Sequence, residues 1–170
     1  HMITIMSEEL QGVFDDGWVK ALGAGETLFL SGDPVHSMYL VREGQIELVR
    51  HTQSGSRILL FEARVGEILA EASAYSKFYH CDGIAAVNSR VLSVPVATFR
   101  EKLDQNALLA RLWASQLARG LQGARMNSAI KSMKTVGERL DAWLAGGTAL
   151  PPKGQWQILA QSLGVSREAL

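Results

Sequence analysis

The sequence of 170 residues contains a single cysteine, Cys81. One thiol cannot form a disulfide within the chain, and it cannot supply the several thiolates of an iron–sulfur cluster or a structural zinc site. Such poverty in cysteine is typical of a protein from a reducing cytoplasm, where we expect this chain to act. The sequence therefore predicts no iron–sulfur cluster and no metal site.

The sequence also lacks long apolar runs and an excess of charge of either sign. No run approaches the roughly 18 apolar residues that cross a bilayer, and no basic segment followed by an apolar one opens the chain as a secretory signal does. We expect His1-Met2 to be a cloning remnant. The 17 lysines and arginines balance the 17 aspartates and glutamates, so any contact with DNA must come from a local basic patch.

Two patterns of apolar residues divide the chain. From about Glu26 to Pro95, short runs rich in β-branched and aromatic residues alternate with turn residues, as at 31–34. Many short strands at near-regular spacing are typical of a sandwich or a barrel. From Thr98 onward, apolar residues recur at three- and four-residue steps, which indicates helices. The predicted strands are 27–30, 38–41, 45–49, 58–61, 84–87 and 91–94.

A long helix is predicted from about Asn106 to Lys134, where no proline interrupts the pattern. It would exceed about 40 Å at roughly 1.5 Å per residue, which is longer than one small barrel needs on its flank. The helix either packs only on its own barrel or forms a dimer seam, and its length favours the seam. The residues predicted for the dimer interface are Leu109, Leu112, Trp113, Gln116, Gly120, Leu121, Gly123, Met126 and Ile130.

The tail of the chain predicts further helices. Thr135 and Glu138 have the spacing of a capping box, so a new helix should begin there. Gly146-Gly147 should end that helix, and Pro151-Pro152 should enforce an extended link. Tryptophans 113, 143 and 156 are interpreted as core residues, and Trp18 is assigned to an N-terminal helical segment.

The last segment, Gln155–Leu170, has the spacing of two helices joined by a tight turn. The first helix should stop at Gly164, which readily takes a positive φ, and the second should begin at Ser166, a good N-cap. This spacing is typical of a helix-turn-helix, whose second helix presents its first residues to the DNA major groove. An ordinary helical hairpin is the alternative.

The residues predicted to contact DNA lie in the first turn of that second helix: Ser166, Arg167 and Glu168. An arginine can donate two hydrogen bonds to guanine, and a glutamate can accept one from cytosine.

The order of these parts resembles the Crp/Fnr family of transcription regulators across nearly the whole chain. Residues 29–34 and 38–48 are similar to the start of a cyclic-nucleotide-binding jelly-roll. Leu150-Pro151 followed by 159–168 is similar to the family's helix-turn-helix. The resemblance implies an α+β chain with an N-terminal double-stranded β-helix (jelly-roll) sensor barrel, a long dimerisation helix and a C-terminal winged helix-turn-helix. It places these parts at 1–103, 104–134 and 135–170, the last truncated because the family's wing lies beyond residue 170.

The family's ligand cassette contains a short helix between two strands, and residues 66–73 align with it. In cyclic-nucleotide binders a glutamate of this cassette bonds the ribose, and the resemblance gives that role to Glu71. The family's phosphate-binding arginine and serine are replaced by His80 and Cys81, and its base-contacting Thr-Ser pair aligns with 124–125. Without that arginine a buried phosphate loses its bidentate partner, which argues against cyclic AMP as effector. The predicted effector-site residues are Gly66, Ala70, Glu71, Ala72, His80, Cys81, Ala124 and Arg125.

Haem is an alternative effector or cofactor, because the family's carbon-monoxide sensors carry axial cysteine and histidine ligands in this part of the barrel. Tyr79, His80 and Cys81 offer a phenol, an imidazole and a thiolate. Adjacent side chains rarely serve as two ligands of one iron, so at most one would bind. The favoured interpretation is a half-buried histidine and a small buried cysteine at a strand start.

The resemblance implies a homodimer that binds palindromic double-stranded DNA, contacts RNA polymerase and responds to an unknown small molecule, without a membrane partner. One alternative is a cyclic-nucleotide-type or haem-binding module without DNA activity. Another is a cupin-like barrel enzyme, but His36, His51 and His80 lack the tight spacing and carboxylate partners of a metal set. We therefore predict no catalytic residues.

Overall fold

The computed structural model describes residues 8–147, 150–152 and 156–170, without the side chains of Ile158 and Gln161. Gln155, where the predicted last segment begins, lies outside the described residues. The chain forms two compact units, a barrel unit that ends at Ala114 and a C-terminal unit that begins at Ser115. The domain limits that the sequence predicts at 103/104 and 134/135 stay predictions.

Two four-stranded antiparallel sheets form the barrel unit. One has the strand order β1-β8-β3-β6 and the other β2-β7-β4-β5. Because strands leave one sheet for the other repeatedly along the chain, the arrangement is that of a barrel rather than of a simple meander. The strands are β1 Trp18–Leu22, β2 Thr27–Phe29, β3 Ser37–Glu43, β4 Gln45–His51, β5 Arg57–Arg64, β6 Ile68–Leu69, β7 Asp82–Ala85 and β8 Ser89–Pro95.

The barrel closes around apolar side chains supplied by both sheets. Met38 and Leu40 of β3 and Ile46 of β4 have no exposed surface. The turn between β3 and β4 needs a glycine, because Gly44 has a φ of +78° and a Cβ there would lie 2.3 Å from Oγ of Ser89. The sequence pattern of short strands and tight turns thus produces one continuous core.

The six predicted strands are present, with bounds shifted by a few residues. Two further strands were not predicted. Strand β1 lies at a sheet edge with only Leu22 buried, so its sequence lacks the alternation that marks a half-buried strand. The assignment of Trp18 to a helical segment is therefore wrong, since Trp18 begins β1 and is 66% exposed. Strand β6, with two residues, is too short to leave a pattern.

The helix predicted to begin at Ser166 is present only as a 3₁₀ turn, whereas the other helices follow the predicted order. They are α1 Glu8–Gly12, α2 Val96–Gln105, α3 Ala107–Ser132, α4 Val136–Ala145 and α5 Trp156–Leu163, with short 3₁₀ turns at Glu71–Ser73 and Arg167–Ala169. The 26 residues of α3 span roughly 39 Å at 1.5 Å per residue. None of the described helices combines the length and apolarity that crossing a membrane would require.

The predicted start of α4 is confirmed in detail. The Thr135 hydroxyl accepts from the Glu138 amide at 3.2 Å, and the Glu138 carboxylate accepts from the Thr135 amide at 3.0 Å. These two bonds form the reciprocal capping box. The pKa of Glu138 is lowered because its carboxylate accepts hydrogen bonds from the Thr135 amide and from the Thr135 hydroxyl. The helix ends before Gly146-Gly147, as the sequence predicts.

The C-terminal unit has a small core of its own. Among the described residues, its large buried side chains are Ile130, Trp143, Leu159 and Leu163, with Leu140, Val165 and Leu170 packed against them. The sequence interpretation of Trp156 as a core residue is wrong, because its side chain is 40% exposed.

Candidate functional site

The predicted ligand cassette, residues 66–73, contains β6 and the 3₁₀ turn Glu71–Ser73 that follows it. Gly66 donates its amide to the Val41 carbonyl at 2.9 Å, which fixes the approach to β6. Ala70, buried in the barrel, has a φ of +65° and lies at the N-cap of the Glu71–Ser73 turn. A left-handed alanine costs on the order of 1–2 kcal/mol, so the surrounding fold must hold it in place. Ala72, predicted to line the site, is exposed.

Glu71 is half-buried in this segment, and the Oε2 atom of its carboxyl group is fully buried. Among the described residues, its Oε2 has no hydrogen-bond partner. Burial is the main cause that raises the pKa of Glu71, and the nearby charge of Glu67 raises it further. The raised pKa favours a protonated carboxyl, and an unpaired buried oxygen is costly unless a further group pairs with it.

Cys81 lies beside Glu71 at the start of β7 and is 2% exposed. Burial raises the pKa of the Cys81 thiol to about 11, and the negative charges of Glu71 and Asp82 add to the effect. The thiol is therefore neutral near pH 7, which is the opposite of the low-pKa environment of a reactive cysteine.

The other two members of the Tyr79-His80-Cys81 run are used differently. Tyr79 is buried, stacks on Phe29 at 4.2 Å and donates its hydroxyl to the Ser37 carbonyl at 2.8 Å. Burial also raises the pKa of Tyr79. His80 is exposed rather than half-buried, and its Nδ1 lies 3.2 Å from the hydroxyl of buried Ser73. The phenol is thus engaged in the core.

Sequence reasoning missed two polar residues around this segment. Ser73 anchors His80, and Asp82 holds two groups: its Oδ1 accepts from the Ser31 amide at 2.7 Å, and its Oδ2 lies 3.1 Å from Nδ1 of His51. Ser73 falls inside the cassette and could have been found there. No sequence signal links Asp82 to His51, because the strands that carry them pair only in the folded barrel.

The remaining predicted effector residues, Ala124 and Arg125, lie on α3 in the C-terminal unit, and both are exposed. No cluster of histidine, cysteine and carboxylate side chains that could hold a metal ion occurs in the described part of the chain.

The predicted seam residues on α3 divide into two groups. Trp113 packs edge-on against Phe99 at 5.0 Å in the barrel core, with Leu109 and Leu112 partly buried against the same core. Ile130 is 3% exposed and lies in the core of the C-terminal unit. Trp113 and Ile130 therefore have almost no surface left to offer a partner.

The middle of α3 is the part of the helix that is exposed to solvent. Leu121 and Met126 are 52% and 57% exposed. A Cβ added to Gly120 or Gly123 would meet nothing within 4 Å. Gln116 is half-buried, and its Oε1 has no hydrogen-bond partner among the described residues. The predicted dimer interface did not include Leu108 and Leu117, which are also exposed on α3.

The segment predicted to contact DNA follows α5. Gly164 has a φ of +67°, which allows the sharp turn after the helix. Ser166 is extended and lies at the N-cap of the Arg167–Ala169 turn, but its side chain makes no cap hydrogen bond. Ser166, Arg167 and Glu168 are all exposed.

Charge separates the two units although the whole chain is neutral. The sequence from Ser115 onward has seven lysines and arginines against three aspartates and glutamates, a net charge of +4. The preceding residues have ten against fourteen, a net charge of −4. The local basic region that DNA contact requires is thus present in the unit that carries Arg167.

The fold is a β-barrel of two four-stranded sheets, followed along the chain by a helical unit. Residues 19–106 match the model of the cyclic nucleotide-binding domain. Because the match covers more than half of the chain, this chain belongs to the cyclic nucleotide-binding domain family.

Known proteins similar to this chain are named as regulators. The global nitrogen regulator of Synechococcus elongatus is 24% identical over 165 residues, which cover 88% of this chain and 73% of that protein. The structure of FixK2 from Bradyrhizobium japonicum has a TM-score of 0.71 at 16% identity, covering 90% of this chain and 80% of that one. The catabolite activator protein of Thermus thermophilus has a TM-score of 0.61 at 22% identity, covering 98% and 81%. The resemblance to Crp/Fnr-type regulators predicted from the sequence is thereby confirmed, and the solved structures support it at the level of the fold.

Proposed function

We propose that this chain is a DNA-binding transcription regulator of the Crp/Fnr type. The observation that carries the proposal is the exposed Arg167, which follows a left-handed turn at Gly164 in a unit of net charge +4. An arginine in the first turn of a reading helix can bond guanine bidentately, and the basic surroundings attract the phosphate backbone. Ser166 and Glu168 are the other proposed DNA contacts.

The proposed regulator is a homodimer joined through the middle of α3. Leu117, Leu121 and Met126 are exposed apolar side chains, and Gly120 and Gly123 permit a second helix to approach closely. Two such helices would bury each other's apolar side chains, which one helix alone leaves in water. A two-fold dimer places two reading helices on a palindromic duplex.

The proposed effector site is the segment around Glu71. The support is its unpaired buried oxygen, which offers a hydrogen-bonding position to a small molecule. The negative charge of Glu67 acts on the same carboxyl and raises its pKa, in addition to the effect of burial. Such a site disfavours a phosphate anion, in agreement with the argument against cyclic AMP from the sequence.

An effector would shift the population between two dimer geometries and so the spacing of the reading helices. We place the protein in the cytoplasm, with RNA polymerase as a further partner and no catalytic activity of its own. A sensor module without DNA activity is the alternative, and haem remains a candidate ligand of that module.

The proposal is tested by selection from random duplex DNA with the full-length protein, Arg167→Ala and the control Arg90→Ala. Arg90 is an exposed arginine of β8. We expect wild type and the control to enrich a palindrome with half-sites about one helical turn apart, and Arg167→Ala to lose the enrichment. If no sequence is enriched with or without cell extract as a source of effector, the sensor-module alternative is favoured.

A further inference from the structure

Arg139, in the first turns of α4, joins two places that are far apart in sequence. Its Nε donates to the Met133 carbonyl at 2.9 Å, just beyond the end of α3. Its Nη1 donates to the carbonyls of Leu163 and Gly164 at 3.0 and 3.3 Å, where α5 ends and the tight turn begins. One guanidinium therefore connects the end of the long helix to the turn that precedes Arg167.

The charge of Arg139 is balanced by these carbonyls. No carboxylate in the described ranges lies within salt-bridge distance of it. The last carbonyls of a helix lack partners within the helix and carry the negative end of its dipole, so a cation at that place is stabilising. Arg139 compensates the carboxyl ends of two helices, α3 and α5, at once.

The last turn of α3 also touches the same tight turn directly. A Cβ on Gly164 would lie 3.1 Å from Cγ of Lys131, so the lysine stem covers the glycine closely. Behind this contact, Ile130 of α3 and Leu163 of α5 share the core of the C-terminal unit. The turn is thus fixed to the end of α3 by packing on one side and by the hydrogen bonds of Arg139 on the other.

We propose that Arg139 is a positioning residue that fixes the turn at Leu163-Gly164 to the end of α3, and that DNA affinity depends on it although it does not contact DNA. This inference rests on the proposed function. A displacement of the end of α3 reaches the turn through rigid, charge-assisted hydrogen bonds, and the turn carries the segment with Arg167. A lysine cannot replace Arg139, because its single ammonium lacks the planar fork that addresses separate carbonyls.

The test uses the full-length protein with Arg139→Met, Arg139→Lys and Arg119→Met. Met removes the donors and retains an unbranched side chain, and Arg119, an exposed residue of α3, is the matched control for the loss of one positive charge. Two quantities are measured at a temperature at which circular dichroism shows every variant to be folded. One is amide exchange of peptides that span 160–166, and the other is affinity for the selected duplex as a function of salt.

We expect Arg139→Met to accelerate exchange in 160–166 and to weaken DNA binding, each by at least about tenfold, which is the size expected for losing charge-assisted hydrogen bonds. The slope of log affinity against log salt should be unchanged, because no phosphate contact is lost. Arg139→Lys should remain close to Arg139→Met, and Arg119→Met close to wild type in exchange.

Each other outcome overturns a stated part of the proposal. Unchanged exchange in Arg139→Met contradicts the fixing of the turn, and faster exchange with unchanged DNA affinity contradicts its role in DNA reading. Full recovery by Arg139→Lys shows that charge alone suffices, and a salt slope smaller by about one shows that Arg139 contacts a phosphate directly. If wild type binds no duplex, the proposed function fails and the DNA role with it, whereas the exchange result still decides whether Arg139 holds the turn.

Discussion

The barrel unit and the C-terminal unit are stabilised by different kinds of contact. The barrel unit has one continuous core that extends from Leu10 in α1 to Trp113 in α3. Among its described residues, the C-terminal unit buries four large apolar side chains. Directed polar contacts add to this core, namely the capping box at Thr135 and the carbonyl contacts of Arg139. A small core offers limited hydrophobic stabilisation, so each polar contact there is a larger share of the total.

The same comparison separates the proposed roles. The barrel unit is acidic and holds buried polar groups with raised pKa values at one segment. The C-terminal unit is basic and leaves its candidate contact residues exposed. A barrel with a large core can hold a ligand in a fixed geometry. A helical unit of lower stability changes conformation more easily, and regulation by a population shift requires such a change. Single substitutions in each unit test this division.

Truncating Phe99 should have the largest effect, because its ring is fully buried between Phe14 and Trp113 in the barrel core. We expect Phe99→Ala to lower the free energy of unfolding of the barrel unit by about 3–5 kcal/mol. Urea denaturation followed by circular dichroism measures the loss. Trp18→Ala is the control, since the side chain is mostly exposed and its loss should cost no more than about 0.5 kcal/mol.

Truncating Trp143 should unfold the C-terminal unit and spare the barrel. The loss of its buried ring is expected to cost about 3 kcal/mol, a large part of what so small a core supplies. Amide exchange should then become fast throughout α4 and α5 while β3 and β4 keep their protection. Equal loss of protection in both units would contradict the division into two units of different stability.

Replacing Glu71 by Gln should change how barrel stability depends on pH. The pKa of Glu71 is raised in the folded state, so its stabilising contribution is fully present below the unfolded pKa of about 4.3 and is lost as pH rises through the folded pKa. Above that value the buried carboxylate is ionised and destabilises the barrel. We therefore expect Glu71→Gln to be more stable than wild type at pH 8, by on the order of 1 kcal/mol, with a smaller advantage at pH 4.

Thermal unfolding of the ligand-free protein at pH 4, 6 and 8 measures this difference. Glu43→Gln is the matched control, because Glu43 is exposed at the end of β3. A Glu71→Gln variant that is less stable than wild type at pH 8 would mean that the carboxylate has a partner in the folded barrel. Such a result would remove the unpaired oxygen on which the proposed effector site rests.

The capping box should give the smallest effect. Thr135→Ala removes the acceptor for the Glu138 amide at the start of α4, and a lost N-cap costs about 1 kcal/mol. Thr135→Ser retains the hydroxyl and should behave as wild type. Denaturation followed through amide exchange of α4 peptides measures the change. An equal loss of protection in the barrel strands would contradict an effect confined to the start of α4.

The sequence was most informative where local chemistry decides the structure. The capping box at Thr135 and the turn at Gly164 each depend on one or two residue types at fixed spacing, and the structure has both at the predicted positions. Edge strand β1 and the two-residue β6 were missed because a strand with one buried residue, or with two residues in all, has no periodicity to detect.

The division of apolar residues on α3 could not be predicted, because a helical stripe does not tell which neighbour covers it. Trp113 and Ile130 lie on the same predicted stripe as Leu121, yet one is covered by the barrel core and the other by α4 and α5. The candidate effector site shows the same limit. Glu71 followed from the resemblance, whereas the pairing of Ser73 with His80 depends on a loop closing back on its own turn.

We propose that two copies of this chain read one duplex through the C-terminal unit. The number of protein chains bound per selected duplex tests this proposal. It is measured by analytical ultracentrifugation of the full-length protein and repeated with Leu121→Glu, which places a charge at the proposed α3 seam. We expect two chains per palindromic duplex for wild type and loss of that complex in the variant. One chain per duplex for wild type, or two chains in both proteins, would contradict it.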